Sequence, residues 1–377
     1  MLLDIMKKNK CNEVYLIAEI GQNHQGCVET AKKMILTAKK AGCNCVKFQK
    51  SDLKAKFTRS ALDRRYISDH SWGKTYGEHK EYLEFTKEQY RQLQAYSNEI
   101  EIDFTASAMD ETSLDFLCDL KVPFIKIGSG DANNFPLLTK AAKLSIPLVI
   151  STGMQTMSTV DKIVEIMRQA GNNKYALMHC VSAYPTPSND CNIRLIATLM
   201  RRFPNVTIGY SGHELGVVIT QAAILTGARI IERHFTLDKG QKGSDHRCSL
   251  DPDEMQTLAR SIDEFKSKDY LSISTRSATE VISILRGGHQ LEQALDESNA
   301  NEKYILDSEL PCRLKLGKSI VASRNLPEGH IIQAADIAIK VSEPPGIFAE
   351  KFFEIIDKQL KQRVNEDEPI TEHALSI

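Results

Sequence analysis

The strongest constraint on what this chain can fold into is an eightfold alternation of short apolar runs with helix-length amphipathic stretches. The runs are Val14 to Ile20, Cys45 to Gln49, Ile102 to Ala106, Phe124 to Gly128, Leu148 to Thr152, Tyr175 to Val181, Val206 to Tyr210 and Arg229 to Phe235. Runs this short, bounded by turn residues and rich in β-branched and aromatic side chains, suit strands better than buried helices. Segments such as Val28 to Lys40, Lys87 to Glu99, Thr159 to Gln169, Ile193 to Arg202 and Pro252 to Ser267 place apolar residues at helical spacing. A strand followed by a helix, eight times over, predicts a parallel (β/α)8 barrel of about 250 residues. An open, doubly wound sheet is the competing architecture, but no Gly-rich dinucleotide-binding turn follows the first run.

The barrel pattern occupies residues 1–268 and is interrupted once. Lys50 to Glu84, after the second strand, is a long polar insertion on the face where such barrels carry their active sites. Loops of this length are usually lids or binding loops. Beyond Lys268 the sequence turns Ser/Thr- and Glu/Asn-rich, which reads as a linker over 269–310 with some helix. From Pro311 short apolar runs alternate with turn residues, as in Leu326-Pro-Glu-Gly329 and Glu343-Pro-Pro-Gly346. That pattern predicts a small β-rich domain over 311–377.

Composition excludes several classes of function. A net charge of −1 over 377 residues argues against bulk binding to nucleic acid or to anionic membrane. Nine cysteines is an odd number, and Cys43 and Cys45 are expected on one strand face, where they cannot easily pair. Cys118 and Cys180 fall inside apolar runs, as reduced core cysteines do. The stretch from Met1 to Lys8 lacks the apolar length of a signal peptide, and no later stretch could span a bilayer. The expectation is a cytosolic (cytoplasmic) protein.

In a barrel of this kind, chemistry sits at the carboxyl ends of the strands. His213 closes Val206-Thr-Ile-Gly-Tyr-Ser-Gly-His213, and His234 closes Arg229-Ile-Ile-Glu-Arg-His234. Their 21-residue spacing is one strand–helix repeat, which puts both at the ends of neighbouring parallel strands about 4.8 Å apart. Two imidazoles so placed can share one metal ion, against the blander reading of two hydrogen-bonded rim histidines. The other strand ends bring Glu19, Lys47, Gln49, Ser107, Lys126, Ser129, Ser151, Ser211 and Glu232, and the sixth adds His179, Ser182 and Tyr184. Two lysines, several hydroxyls and a Gly-Ser-Gly turn suit a phosphate. A buried ammonium without an anion is costly, so Lys47 and Lys126 are expected to bind a ligand. Glu19 and Glu232 as their structural counter-ions are the alternative.

These strand-end motifs resemble those of the sialic acid synthases. The resemblance is carried by Ala18-Glu-Ile-Gly-Gln-Asn-His-Gln-Gly26, Lys47-Phe-Gln49, Lys126-Ile-Gly-Ser-Gly-Asp131, Ser151-Thr-Gly-Met154, Tyr184-Pro-Thr-Pro187, Gly209-Tyr-Ser-Gly-His213 and Glu232-Arg-His-Phe-Thr-Leu-Asp238. The last domain resembles an antifreeze-like (SAF) domain. The insertion motif His70-Ser-Trp-Gly-Lys-Thr-Tyr-Gly-Glu-His-Lys80 and Gly243-Ser-Asp-His246 are similar to the animal branch. The resemblance implies condensation of phosphoenolpyruvate with N-acetylmannosamine, phosphorylated at position 6 in that branch, with release of phosphate. It implies a divalent metal, Mn or Mg, on His213 and His234. Phosphoenolpyruvate would be held by Lys47, Ser107, Lys126, Ser129, Ser151, Ser182 and Ser211. The sugar would meet Glu19, Gln49, Tyr184 and Asp245, and the proton-transfer group is Glu19 or Glu232. Where bacterial relatives offer a cap-domain arginine to the sugar, this chain reads Lys340-Val-Ser-Glu343. A domain-swapped homodimer, each small domain covering its partner's barrel, is also implied.

The insertion is dense in basic residues: Lys54, Lys56, Arg59, Arg64, Arg65, Lys74 and Lys80. A solvated loop face is the plain reading of such a run. If it has a function, Arg59 and Lys74 are expected to grip the sugar phosphate. Two rival functions keep the same sequence in view. Another phosphoenolpyruvate-dependent 3-deoxy sugar acid synthase would share the barrel and the metal. A non-enzymatic scaffold or ice-binding protein would have no reason to keep the polar strand ends.

Overall fold

The computed structural model describes residues 1–7, 12–298 and 300–376. Lys8 and Ile377, which end two of the segments above, lie outside the described residues. Eight parallel strands close in sequence order: β1 (Tyr15–Gly21), β2 (Cys45–Lys50), β3 (Asp103–Ala108), β4 (Ile125–Ile127), β5 (Leu148–Ser151), β6 (Tyr175–Cys180), β7 (Thr207–Gly212) and β8 (Ile230–His234). Pairing of β8 with β1 completes the cylinder and rules out the open sheet. Helix starts follow local signals. Thr86 with Gln89 and Asp251 with Glu254 form capping boxes that open the helices Lys87–Glu99 and Pro252–Ser267.

Strand alternation explains the interior. Outward-facing Leu16, Val46, Phe48 and Leu177 pack beneath the surrounding helices. Inward-facing Ile17, Cys45, Phe124, Val149, Met178 and Ile230 fill the lower barrel. Two residues further along the same six inward rows come Glu19, Lys47, Lys126, Ser151, Cys180 and Glu232. Each row turns from apolar to polar within one repeat of the pleat, so the barrel has a dry base and a charged mouth. The short helix Leu2–Met6 plugs the base with Leu2, Ile5 and Met6.

Two expectations change here. Cys43 and Cys45 do not share a face: Cys43 precedes β2 and packs in the outer layer, whereas Cys45 points into the barrel. Residues 269–310 are not a free tether. The helices Ala278–Leu285 and His289–Ala294 pack on the barrel helix Val218–Thr226, and Val281, Leu291 and Ala294 join the main core. Within the single chain the small domain lies over the barrel mouth, because that bound segment delivers residue 310 to its rim. Lys318 pairs with Asp131, Arg313 donates to the Met154 carbonyl at 3.2 Å, and Val341 exchanges backbone hydrogen bonds with Lys56 and Thr58 of the insertion.

The small domain has its own core, centred on Ile320, Leu326, Ile332, Leu360 and Ile370. Its one ladder pairs β9 (Ser319–Ala322) with β10 (Ile337–Lys340), antiparallel. Other pairings, such as Leu326 with Val364, are single bridges. The insertion folds as three short helices, Leu53–Lys56, Arg59–Asp63 and Tyr76–Leu83. Phe57, Ala61 and Tyr76 bury against Val341 of the cap, so insertion and cap form one wall over the mouth.

Candidate active site

A cavity of about 400 Å³ lies between the charged mouth and the cap. Strand register decides which groups meet in it. Glu19 stands opposite Lys47 on one side and His234 on the other, while Ser107 stands opposite Lys126 and Ser211 opposite Glu232. Lys47 Nζ lies 2.6 Å from Glu19 and 3.5 Å from Glu232, and Lys126 Nζ lies 3.6 Å from the same Glu232 oxygen. Lys47 also donates to Ser107 Oγ at 3.1 Å, and Lys126 to Ser151 Oγ at 2.6 Å. Gln49 Nε2 donates to Glu19 at 2.9 Å, and Ser211 to Glu232 at 3.3 Å.

The two carboxylates are not equivalent. Burial raises both. At Glu232 the attraction of Lys126, Lys47 and the two histidines outweighs it, holding the pKa at about 2. At Glu19 burial dominates, Lys47 offsets part of it and Glu232 adds repulsion, leaving the carboxyl at about 7. One lysine serves two acids, and the acid that also faces Lys126 keeps the charge. Lys47 is held above its ordinary value because Glu19 and Glu232 outweigh its burial. Lys126, with burial only partly offset by Glu232, falls below. The lysines therefore have the counter-ions that sequence alone left open, and with Glu19 protonated they keep a net positive charge for an anion.

Hydroxyls complete that end of the cavity. Ser129 Oγ accepts from Gly153 N at 3.1 Å, and Ser182 Oγ is buried without a hydrogen-bond partner in the protein. Gly153 permits this closeness, since a Cβ there would lie 2.2 Å from Ser182 Oγ and 2.7 Å from Ser129 Oγ. Across the mouth, the His213 and His234 rings lie 5.5 Å apart, with the Tyr184 ring 4.0 Å from His213. His213 Nδ1 is bonded to the Val181 carbonyl at 2.8 Å. Although burial lowers its pKa, Cys180 and that carbonyl raise the ring above its ordinary value, so it must give up its extra proton and its Cys180 contact to act as a ligand. Burial, only partly opposed by Asp245, lowers His234 to about 4, so it is neutral as a ligand must be. Asp245 lines the same cavity. Among the described residues, no group of three or more His, Cys, Asp or Glu gathers as a metal cluster. His213 and His234 are the pair that could hold a metal ion here, with the rest of its coordination supplied by water or substrate.

Three assignments fail on geometry. Arg59 extends into solvent, with its side chain 90% exposed beside Asp63. Lys74 is exposed as well, and neither side chain lines the cavity. The insertion's contribution is Lys56 and Lys80 instead. His179 faces outward from β6 and bonds the Cys191 carbonyl at 2.8 Å, while its neighbour Cys180 faces in. Sequence reasoning also missed Glu309, which is fully buried and accepts from Met154 N at 2.7 Å and Ser182 N at 2.8 Å. It ties the segment before the cap to the loops after β5 and β6. A carboxylate in a polar, linker-like stretch carries no signal of such a role. The described cysteines are all free thiols.

Comparison with known proteins agrees with this geometry. The NeuB family model matches residues 34–269 and the SAF domain model residues 317–376. The chain belongs to the NeuB family. It is 66% identical over 370 residues to N-acetylneuraminate-9-phosphate synthase of Drosophila melanogaster, covering 98% of both chains. Identity to the Homo sapiens protein of the same name is 46% over 358 residues, covering 95% of this chain and 91% of that one. Among solved structures, the spore coat polysaccharide biosynthesis protein SpsE of Bacillus subtilis superposes with a TM-score of 0.77 at 26% identity, over 97% of this chain and 96% of that one. The carboxyl-terminal unit of this NeuB-family chain is accordingly a SAF domain. No described helix is long and apolar enough to cross a membrane.

Proposed function

We propose that this chain is a sialic acid synthase that joins phosphoenolpyruvate to N-acetylmannosamine 6-phosphate and water, giving N-acetylneuraminate 9-phosphate and phosphate. The observation that carries this is one capped cavity holding a lysine–hydroxyl anion site on one side and a histidine pair on the other. Lys47, Lys126, Ser107, Ser129, Ser151, Ser182 and Ser211 would hold the phosphate and carboxylate of phosphoenolpyruvate. Gln49, Tyr184 and Asp245 would contact the sugar. A divalent cation, Mn or Mg, on His213 and His234 would supply Lewis acidity to the sugar's aldehyde oxygen.

In the reaction, carbon 3 of the enol bonds to the aldehyde carbon, the oxygen of water bonds to carbon 2, and the bond from carbon 2 to the phosphate oxygen breaks. Lys47 and Lys126 face negative charge at every stage and need not reorganise, which is electrostatic preorganisation. Glu19 is the proton carrier in this reading, because a carboxyl with a pKa of about 7 can both give a proton to the aldehyde oxygen and take one from water. Glu232 stays ionised and anchors the two lysines. The cap excludes bulk water from a site where the moment of water addition must be controlled. The same cap contacts made between two copies would produce the exchanged homodimer that the family resemblance implies. We place the enzyme in the cytoplasm.

Phosphate release should be measured from phosphoenolpyruvate with N-acetylmannosamine and with its 6-phosphate. Chelator should stop it, and Mn or Mg should restore it. His213→Ala and His234→Ala should lack the restorable activity. Near-parental turnover in either variant would remove the metal assignment, and no product from either sugar would remove the synthase reading.

A further inference from the structure

Three lysines in the outer part of the cavity have no part in the chemistry above. Lys56 ends the helix Leu53–Lys56, Lys80 lies on the helix Tyr76–Leu83, and Lys315 lies on the helix Leu310–Leu316 that leads into the cap. All three line the cavity. Their surroundings differ from those of Lys47 and Lys126. Lys56 is buried, with Nζ 2.8 Å from Met109 Sδ and 5.0 Å from the centre of the Phe57 ring. Lys80 Nζ donates to Gln22 Oε1 at 2.8 Å, and Lys315 Nζ lies 5.7 Å from the centre of the Tyr66 ring. Thioether sulfur, a neutral amide and an aromatic face are weak company for three ammonium groups.

Neighbouring Lys318 shows the contrast, since Asp131 neutralises it. Burial, followed by repulsion from Lys80 and Lys318, pushes Lys56 down to about 7. Asp131 and Glu84 act on Lys56, and Asp245 and Glu84 on Lys80, but Asp131 is paired with Lys318, Glu84 with Lys50, and Asp245 accepts from Ser244 Oγ at 2.8 Å. Among the described residues none of the three lysines makes an ion pair with a carboxylate, and a cationic set whose nearest carboxylates are engaged elsewhere suits a multiply charged anion from outside.

We propose that Lys56, Lys80 and Lys315 form a phosphomonoester subsite that holds the terminal phosphate of the sugar across the seam between insertion and cap. This rests on the synthase reading. The inner lysines are committed to phosphoenolpyruvate, so the cavity would have two anion sites with separate ligands. Two lysines come from the insertion and one from the cap, so the sugar phosphate would bridge the two walls of the mouth and favour the closed arrangement.

The test compares kcat/KM for N-acetylmannosamine 6-phosphate with that for N-acetylmannosamine, at saturating phosphoenolpyruvate, in the full chain. Lys80→Gln and Lys315→Gln should each lower the phosphorylated-to-free preference by roughly tenfold or more, the loss of one charge-assisted bond. The double variant should lower it further. Arg59→Gln, whose side chain points to solvent, should leave the preference at the parental value. Equal losses on both sugars, or no loss on either, would overturn the subsite while leaving the synthase intact. A parent enzyme that uses neither sugar would overturn the synthase reading itself. Melting temperatures of the variants identify any that fail to fold, and Lys56→Gln then serves as the replacement.

Discussion

The two lysine groups of this cavity solve the same physical problem in different ways. Lys47 and Lys126 sit in strands, with Glu19 and Glu232 supplied by neighbouring strands at fixed register. Lys56, Lys80 and Lys315 sit on short helices of the insertion and of the segment leading into the cap, and Asp131, Glu84 and Asp245 act on them without forming an ion pair. The inner charges are partly offset by carboxylates of the fold. In the proposed subsite the outer charges would be balanced in large part by the arriving anion, with the cap in place. On the proposed reading, preorganisation belongs to the inner group and recognition of the sugar phosphate to the outer one.

The severest way to break this comparison is to remove the cap. A chain ending near Tyr304 loses Lys315, Lys318 and Glu309 together and should keep a folded barrel with most activity gone. Mixing it with full-length His213→Ala tells which barrel the cap serves. Activity regained in the mixed dimer would show capping of the partner. Mixed dimers without activity would confine the cap to its own chain, as the single chain has it.

Next in size is Lys47→Met, which should lower kcat/KM for phosphoenolpyruvate on the order of 10²–10³-fold, the scale for a preorganised charge-stabilising group. The fold should suffer less than usual for a broken buried pair, because Glu19 can take up a proton. A variant that unfolds while its folded fraction stays active would make this lysine structural and erase the distinction between the groups.

Glu309→Ala tests how the two regions are joined. It leaves the Met154 and Ser182 amides without their acceptor, a loss of about 1–3 kcal/mol measurable in the unfolding midpoint. The Michaelis constant for phosphoenolpyruvate should rise with it, and Glu309→Gln should recover part of both. Loss of stability with unchanged kinetics would make Glu309 a brace for the fold alone.

The smallest effect is a pH dependence of stability. Glu19 titrates near 7 in the folded chain against an ordinary 4.5, so folding favours its protonated form. Its contribution is present below 4.5 and is lost as pH rises through 7. Glu232 has the opposite sign: held at about 2, it stabilises above 4.5 and that stability is lost as pH falls through 2. Melts of metal-free Glu19→Gln should therefore gain on the parent as pH rises from 4.5 to about 7 and level off above that. Parallel curves would mean that Glu19 titrates as an ordinary carboxyl and is not the proton carrier.

What the sequence by itself determined was whatever depends on local periodicity. Eight strands fell within about two residues of their apolar runs, because a strand buried on both faces must be apolar along most of its length. The strand-end groups Glu19, Lys47, Lys126, Ser151, Ser211, Glu232, His213 and His234 followed, because the end of a barrel strand is a position that can be counted. Only the tertiary structure decided what depends on direction and on contacts between distant segments. It turned Cys180 inward and His179 outward, and it sent Arg59 to solvent while burying Lys56. It also packed a polar stretch against the barrel so that Glu309 could hold two active-site loops. Short helices in an insertion have too few turns for periodicity to orient a side chain. A buried carboxylate whose partners are backbone amides more than a hundred residues away leaves no mark on the sequence around it.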